Sequence, residues 1–164
     1  MTPTSEIMTS NESTTTSGTR AATTAAKPKK VNHAHVRWAG EKRFDGGRTG
    51  GPVHRIDAGG TTGPGPVDAL LHALAACSSV DLLEILAKRR TPVESLTVDV
   101  TGDRADATPA RLTRIGLHFT IVGAGIERVH AERAAELAVT KYCSVRDSLD
   151  PAIPIEITVT VNGA

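Results

Sequence analysis

Between Ala34 and Asp57 the apolar positions come in short alternations: Val36 and Trp38, then Phe44, then Val53 and Ile56. Glycine pairs at Gly46-Gly47 and Gly50-Gly51 separate them, so the pattern predicts two or three short strands joined by tight turns. A second glycine cluster, from Gly59 to Gly65, reads as a loop, and Pro66 suits the first turn of a helix, where its missing N–H is no loss. There the period changes. Leu70, Leu71, Leu74, Ser78, Leu82, Ile85 and Leu86 recur at three- and four-residue steps and predict a helix over 67–89. Its first half is apolar nearly all round, which places it inside the molecule. Lys88, Arg89 and Arg90 close it where cations complement the helix dipole.

Alternation returns at Val93, Leu96, Val98 and Val100, and again over 112–122, with Pro109 in the connection. A second helix is predicted over 126–142, a short one over 143–149 stopped by Pro151, and a closing strand over 155–161. Strands therefore flank a long central helix and are followed by a helix and one more strand. That order specifies an α+β domain with segregated elements and argues against a doubly wound parallel sheet.

The first thirty residues follow neither period. They hold nine Thr and four Ser and end in Lys27-Pro28-Lys29-Lys30. Such a segment buries too little apolar surface to offset its ordering entropy, so 1–33 reads as a disordered tail and 34–164 as the single domain. The tail has no apolar stretch leading to a small-residue cleavage site, which excludes a signal peptide. No unbroken run of eighteen apolar residues predicts a membrane span. The expected compartment is the cytoplasm, where thiols stay reduced and a permanent disulfide is not expected. With a net charge of +1 and 2% aromatic residues, the chain offers nucleic acid neither a phosphate-tracking surface nor a stacking platform.

Candidate chemistry narrows to the two cysteines, Cys77 and Cys143. They are too few for a disulfide scaffold or an all-cysteine zinc site. His33 and His35 share a strand face but have no third ligand at metal-binding spacing, so they read as surface histidines. Gly123-Ala124-Gly125 sits between a strand and a helix like a dinucleotide loop, yet Arg128 occupies the third glycine position, and a plain turn is the better reading. Arg48 lies among glycines and reads as a turn charge unless an anionic group comes near it. Cys77 shares a helix stripe with Asp81 and Glu84; burial and carboxylates raise a thiol pKa, which predicts an inert thiol. Cys143 stands at the start of a short helix, a position that lowers a thiol pKa. Spacing alone does not say whether the two meet.

The words around both cysteines resemble the OsmC/Ohr family. Gly65-Pro66-Val67-Asp68-Ala69-Leu70-Leu71, leading to Ala75-Ala76-Cys77 and Val80-Asp81-Leu82-Leu83, is similar to the family's first cysteine motif. Lys141-Tyr142-Cys143-Ser144-Val145 is similar to the second, in the form of the less-studied OsmC-like branch. Trp38-Ala39-Gly40, the stretch from Arg104 to Pro109, and Ile115 to Phe119 followed by Gly123 fit the same branch, so the likeness covers about 34–162. The resemblance implies an OsmC-like α+β fold, with antiparallel sheets wrapped around long central helices in an intertwined homodimer. It also implies a thiol peroxidase acting on organic hydroperoxides without metal or other cofactor. Cys77 would be the peroxidatic thiolate, Cys143 would resolve its sulfenic acid to a disulfide, and an external dithiol would reduce that bond. In the better-known peroxidases a glutamate follows the motif proline and holds an arginine over the sulfur. Here that position is Val67; Asp68 points away from it on the helix; and the arginine corresponds to Arg48, with Arg43 as the alternative. The departure keeps two other readings open: a non-catalytic dimer that binds a small hydrophobic ligand, and a redox sensor.

Overall fold

The computed structural model describes residues 29–163; the tail reading of residues 1–28 lies outside them. The glycine-punctuated alternations form three strands, β1 (His35–Trp38), β2 (Arg43–Gly47) and β3 (Val53–Asp57), in one antiparallel sheet of order β1-β2-β3. The register pairs Trp38 with Phe44 and Phe44 with Ile56, which gathers apolar side chains on one face. On the other face Arg37, Asp45 and Arg55 stand directly across from one another, and Asp45 pairs with both arginines. The apolar face is left open: Val36 is 61% and Trp38 66% exposed.

β3 ends on Asp57, whose buried carboxylate organises the glycine loop that follows. It accepts hydrogen bonds from the backbone N–H of Gly59 (2.8 Å), Thr62 (3.0 Å) and Thr61 (3.3 Å), and from the Thr62 hydroxyl (2.9 Å). The bonds from Gly59 and Thr62 outweigh burial and hold its pKa down at about 2, against an ordinary value of 3.8. A depressed carboxylate stabilises the fold fully above its unfolded value and loses that contribution as pH falls through the folded one. The expected result is stability that declines between about pH 4 and 2. Asp57→Asn flattens that decline and lowers the melting temperature at neutral pH by roughly 5 °C, read in calorimetric scans of both proteins.

The loop delivers the chain to helix α1 (Pro66–Lys88), where the Asp68 carboxylate accepts the Gly65 N–H at 3.0 Å. Leu71, Leu74, Ala75, Ser78, Leu82 and Leu86 form its buried stripe. A second apolar stripe with Leu70, Val80 and Leu83 faces outward, Val80 being 58% exposed. By length and composition alone α1 is long and apolar enough to cross a membrane, although Asp68, His72, Asp81 and Glu84 interrupt its apolar residues. In this fold Leu74, Leu82 and Leu86 are fully buried in the core, so packing accounts for part of that apolar character. Leu82→Ala is expected to cost about 3 kcal/mol, read as a lower urea midpoint at unchanged slope.

Against α1 lies a second sheet, β4 (Ser95–Arg104), β5 (Leu112–Val122) and β6 (Ile155–Val161), in that order. Ile115, Leu117, Phe119 and Ile121 of β5 point inward and are almost fully buried, and Thr120 and His118 point outward. β4 and β5 are antiparallel, but β6 runs parallel to β5, so this sheet is mixed. The connection between them is a crossover carrying three helical pieces, the kind of link a parallel pair requires. The region predicted as one helix over 126–142 is in fact two pieces. Helix α2 (Arg128–Leu137) gives way to a π-helical turn (Ala138–Tyr142), and a short helix α3 (Ser144–Asp147) follows. The π-turn closes with the Cys143 N–H on the Ala138 carbonyl at 2.9 Å, and Cys143 itself is extended, which breaks the helical path there. Ala131, Ala134, Ala135 and Ala138 are buried, and their small side chains bring α2 close against α1.

The glycine turn after β5 is structural. Gly123 donates its N–H to the Asn162 side chain at 3.0 Å and accepts from the same amide at 3.1 Å, which ties the turn to the end of β6. A Cβ on Gly123 would lie 2.6 Å from the Pro92 carbonyl oxygen, so only glycine fits.

Candidate active site

The break at Cys143 brings the two thiols together. Cys77 projects from α1 between the buried stripe and the outward one and is half-buried; Cys143 is buried at 3% exposure. Both are free, and the two thiols lie close enough for each to shift the pKa of the other. Each cysteine is followed in sequence by a serine, and the fold crosses the pairs. The Ser144 hydroxyl lies 4.0 Å from Cys77 Sγ, whereas the Ser78 hydroxyl reaches Cys143. Ser78 is fully buried and donates to the Leu74 carbonyl at 3.0 Å; the Cys143 thiol donates toward the same carbonyl at 4.0 Å.

This arrangement reverses the expected electrostatics. Burial pushes the Cys77 thiol up, but hydrogen bonds from the Val145 N–H, the Cys143 thiol, and the Ser144 hydroxyl and N–H outweigh it, leaving Cys77 below the ordinary thiol value. Cys143 is raised: burial leads, and the neighbouring Cys77 adds to it against the pull of Ser78 and of the Arg146 N–H, which bonds Cys143 Sγ at 3.3 Å. The expectation of an inert Cys77 and an activated Cys143 thus fails for two reasons. The first N–H groups of α3 serve the sulfur opposite as well as the one that caps the helix, and Glu84 turns toward Lys88 at 3.5 Å.

The other candidate residues do not converge on the sulfurs within one chain. Val67 packs against the core, and Asp68 is spent on the helix cap. Arg48 is exposed in the turn between β2 and β3, and Arg43 pairs with Glu41 at 2.9 Å. Among the described residues neither arginine bonds a cysteine. His33 and His35 are exposed, and no group of three or more potential metal ligands gathers among the described residues.

Two clefts adjoin the elements that carry the thiols, and Cys143 lines the second. One, of about 440 Å³, runs between α1 and α2 and is lined by Asp81, Ile85, Arg89, Ala134, Leu137 and Tyr142. The other, of about 460 Å³, opens over Cys143 between the π-turn and α3, with Tyr142, Ser144 and Arg146 on its walls. Ser78 and Ser144 carry no signal of their own in the sequence beyond the repeated Cys-Ser dipeptide, which gains meaning only when the two copies face each other.

An α+β chain in which a half-exposed, acidified thiol faces a buried one is a two-cysteine thiol protein. The chain belongs to the OsmC-like family: residues 58–158 match the family described as OsmC-like protein. It is similar to Protein YhfA of Escherichia coli K12, with 34% identity over 74% of this chain and 92% of that one. A hypothetical protein from Aquifex aeolicus VF5 shares the fold at a TM-score of 0.73, with 25% identity, over 82% of this chain and 98% of that one. The organic hydroperoxide resistance protein OhrB of Bacillus subtilis shares the fold more distantly, at a TM-score of 0.54 and 15% identity, over 78% of this chain and 96% of that one.

Proposed function

We propose that the chain is a thiol-dependent peroxidase that reduces organic hydroperoxides in the cytoplasm as a homodimer. The observation that carries this reading is the contact between a half-exposed Cys77 with a lowered pKa and the Cys143 thiol. The Cys77 thiolate attacks one peroxide oxygen; the S–O bond forms as the O–O bond breaks, and the leaving alkoxide takes a proton to become the alcohol. The sulfenic acid on Cys77 is then attacked by the Cys143 sulfur; the S–S bond forms and water leaves. An external dithiol returns both thiols by exchange and is itself oxidised to a disulfide. The family relationship and the name of the B. subtilis neighbour support the substrate class.

The homodimer is supported by two open apolar faces, the Val36–Trp38 face of the first sheet and the Val80–Leu83 stripe of α1. Arg48 reaches the thiols, in this proposal, from the second copy. The test is stoichiometric. Reduced protein consumes about one equivalent of cumene hydroperoxide per subunit and loses both free thiols; with added dithiothreitol consumption continues through many turnovers. No consumption above the dithiol background removes the enzyme reading. It would favour a small-molecule binder instead, whose site would be the α1–α2 cleft with Ile85, Ala134 and Leu137 on its walls.

A further inference from the structure

The position that carries a glutamate in the better-known relatives is Val67, turned into the core, and neither Arg43 nor Arg48 bonds Cys77 within the chain. The Val145 N–H and the Cys143 thiol favour the thiolate, and a further donor stands beside them. The crossed Cys-Ser pairs supply a candidate: Ser144 Oγ stands 4.0 Å from Cys77 Sγ, and that contact is its single side-chain hydrogen bond among the described residues. A serine hydroxyl that serves a helix commonly folds back on a carbonyl four residues earlier, as Ser78, Ser79 and Ser148 all do here. Ser144 does not. It opens α3 directly after the extended Cys143, which breaks the helical path from the π-turn, and its side chain contacts the sulfur on α1 instead.

We propose that Ser144 is a catalytic residue whose hydroxyl donates a hydrogen bond to the Cys77 sulfur and so favours its thiolate, the part an arginine–carboxylate pair plays elsewhere. The direction of donation follows from chemistry: a thiolate has no proton to give, so once Cys77 is ionised only the hydroxyl is a donor. A charge-assisted bond of this kind strengthens as the sulfur becomes an anion, which is the condition for lowering a pKa. Among the groups that lower the Cys77 pKa, the Ser144 hydroxyl stands behind the Val145 N–H and the Cys143 thiol. The inference deepens the peroxidase reading by assigning the activation step, but its physical content is the acidity of one thiol and does not require a peroxide.

The test therefore uses alkylation of the reduced full-length protein by iodoacetamide across pH, with Cys77 followed by peptide mass spectrometry. Alanine is a good helix former and Ser144 Oγ has no structural partner to lose, so Ser144→Ala keeps α3. The expected result is a Cys77 midpoint about one pH unit higher, equivalent to roughly tenfold slower alkylation at pH values below both midpoints. Ser144→Thr, which keeps the hydroxyl, restores the wild-type profile. A Ser144→Ala profile that overlays the wild type, or a Ser144→Thr profile that stays with alanine, overturns the proposal. The shift without peroxide consumption would overturn only the peroxidase reading; consumption without the shift would overturn only the role of Ser144.

Discussion

Cys77→Ser ends dithiol-supported hydroperoxide consumption, with a loss on the order of 10³-fold or more, because a serine hydroxyl offers no anion at neutral pH. Cys143→Ser behaves differently. Its first step survives, since the attacking thiolate and the α3 N–H groups that face it remain, so the variant still consumes about one equivalent of peroxide. Without a resolving thiol the sulfenic acid persists and, under excess peroxide, proceeds to the sulfinic acid, read as additions of about 16 and then 32 Da on the Cys77 peptide. The asymmetry follows from the two thiol environments. Cys77 is partly open and acidified, whereas Cys143 is buried and raised, fit to attack a neighbouring sulfur more than a peroxide in solvent. A dead Cys143→Ser beside an active Cys77→Ser would exchange the two roles. Equal background activity in both variants and the wild type would remove the chemistry.

The secondary structure was legible wherever one period ruled. Leu112–Val122 and Ile155–Val161 coincide with their strands, and α1 begins and ends one residue from its predicted bounds. The stretch from Ile126 to Tyr142 kept a helical spacing throughout, and nothing in its residue types marks the π-turn at Ala138–Tyr142. Yet that turn sets Cys143 in an extended conformation and aims the α3 amides across at α1. The sequence names the candidate thiols, but their acidities in the fold run opposite to what their own helices predict. Helix-stripe reasoning sees the charges on a residue's own helix, such as Asp81 and Glu84; it does not see amides contributed by a segment far along the chain. Pairing direction was hidden for a similar reason. Alternation in β6 specifies a strand with one buried face and is silent on whether it lies parallel to β5.

Cys77 lies on the border of α1's outward apolar stripe, which makes the second copy part of the site's argument. Leu70, Val80 and Leu83 give an exposed apolar helix face, and Val36, Trp38 and Phe44 give a sheet face that is exposed among the described residues. Two such faces on one chain are satisfied together when two copies exchange them, under a twofold axis that counts every substitution twice. Val80→Asp combined with Leu83→Asp places unpaired carboxylates in that interface. Each buried charge without a partner costs about 3 kcal/mol, so even one per subunit gives a penalty of about 6 kcal/mol per dimer, or roughly 10⁴-fold in dissociation constant. With the proposed dimer, the double variant is expected to run as a monomer in sedimentation at a micromolar concentration at which the wild type is expected to run as a dimer. It is also expected to lose peroxide turnover, while Cys77 is still alkylated, with a midpoint raised by the new carboxylate one helical turn away at position 80. A variant that remains dimeric places the interface elsewhere. One that is monomeric and fully active would show that each chain carries a complete site, and would remove Arg48 of a second copy from the mechanism.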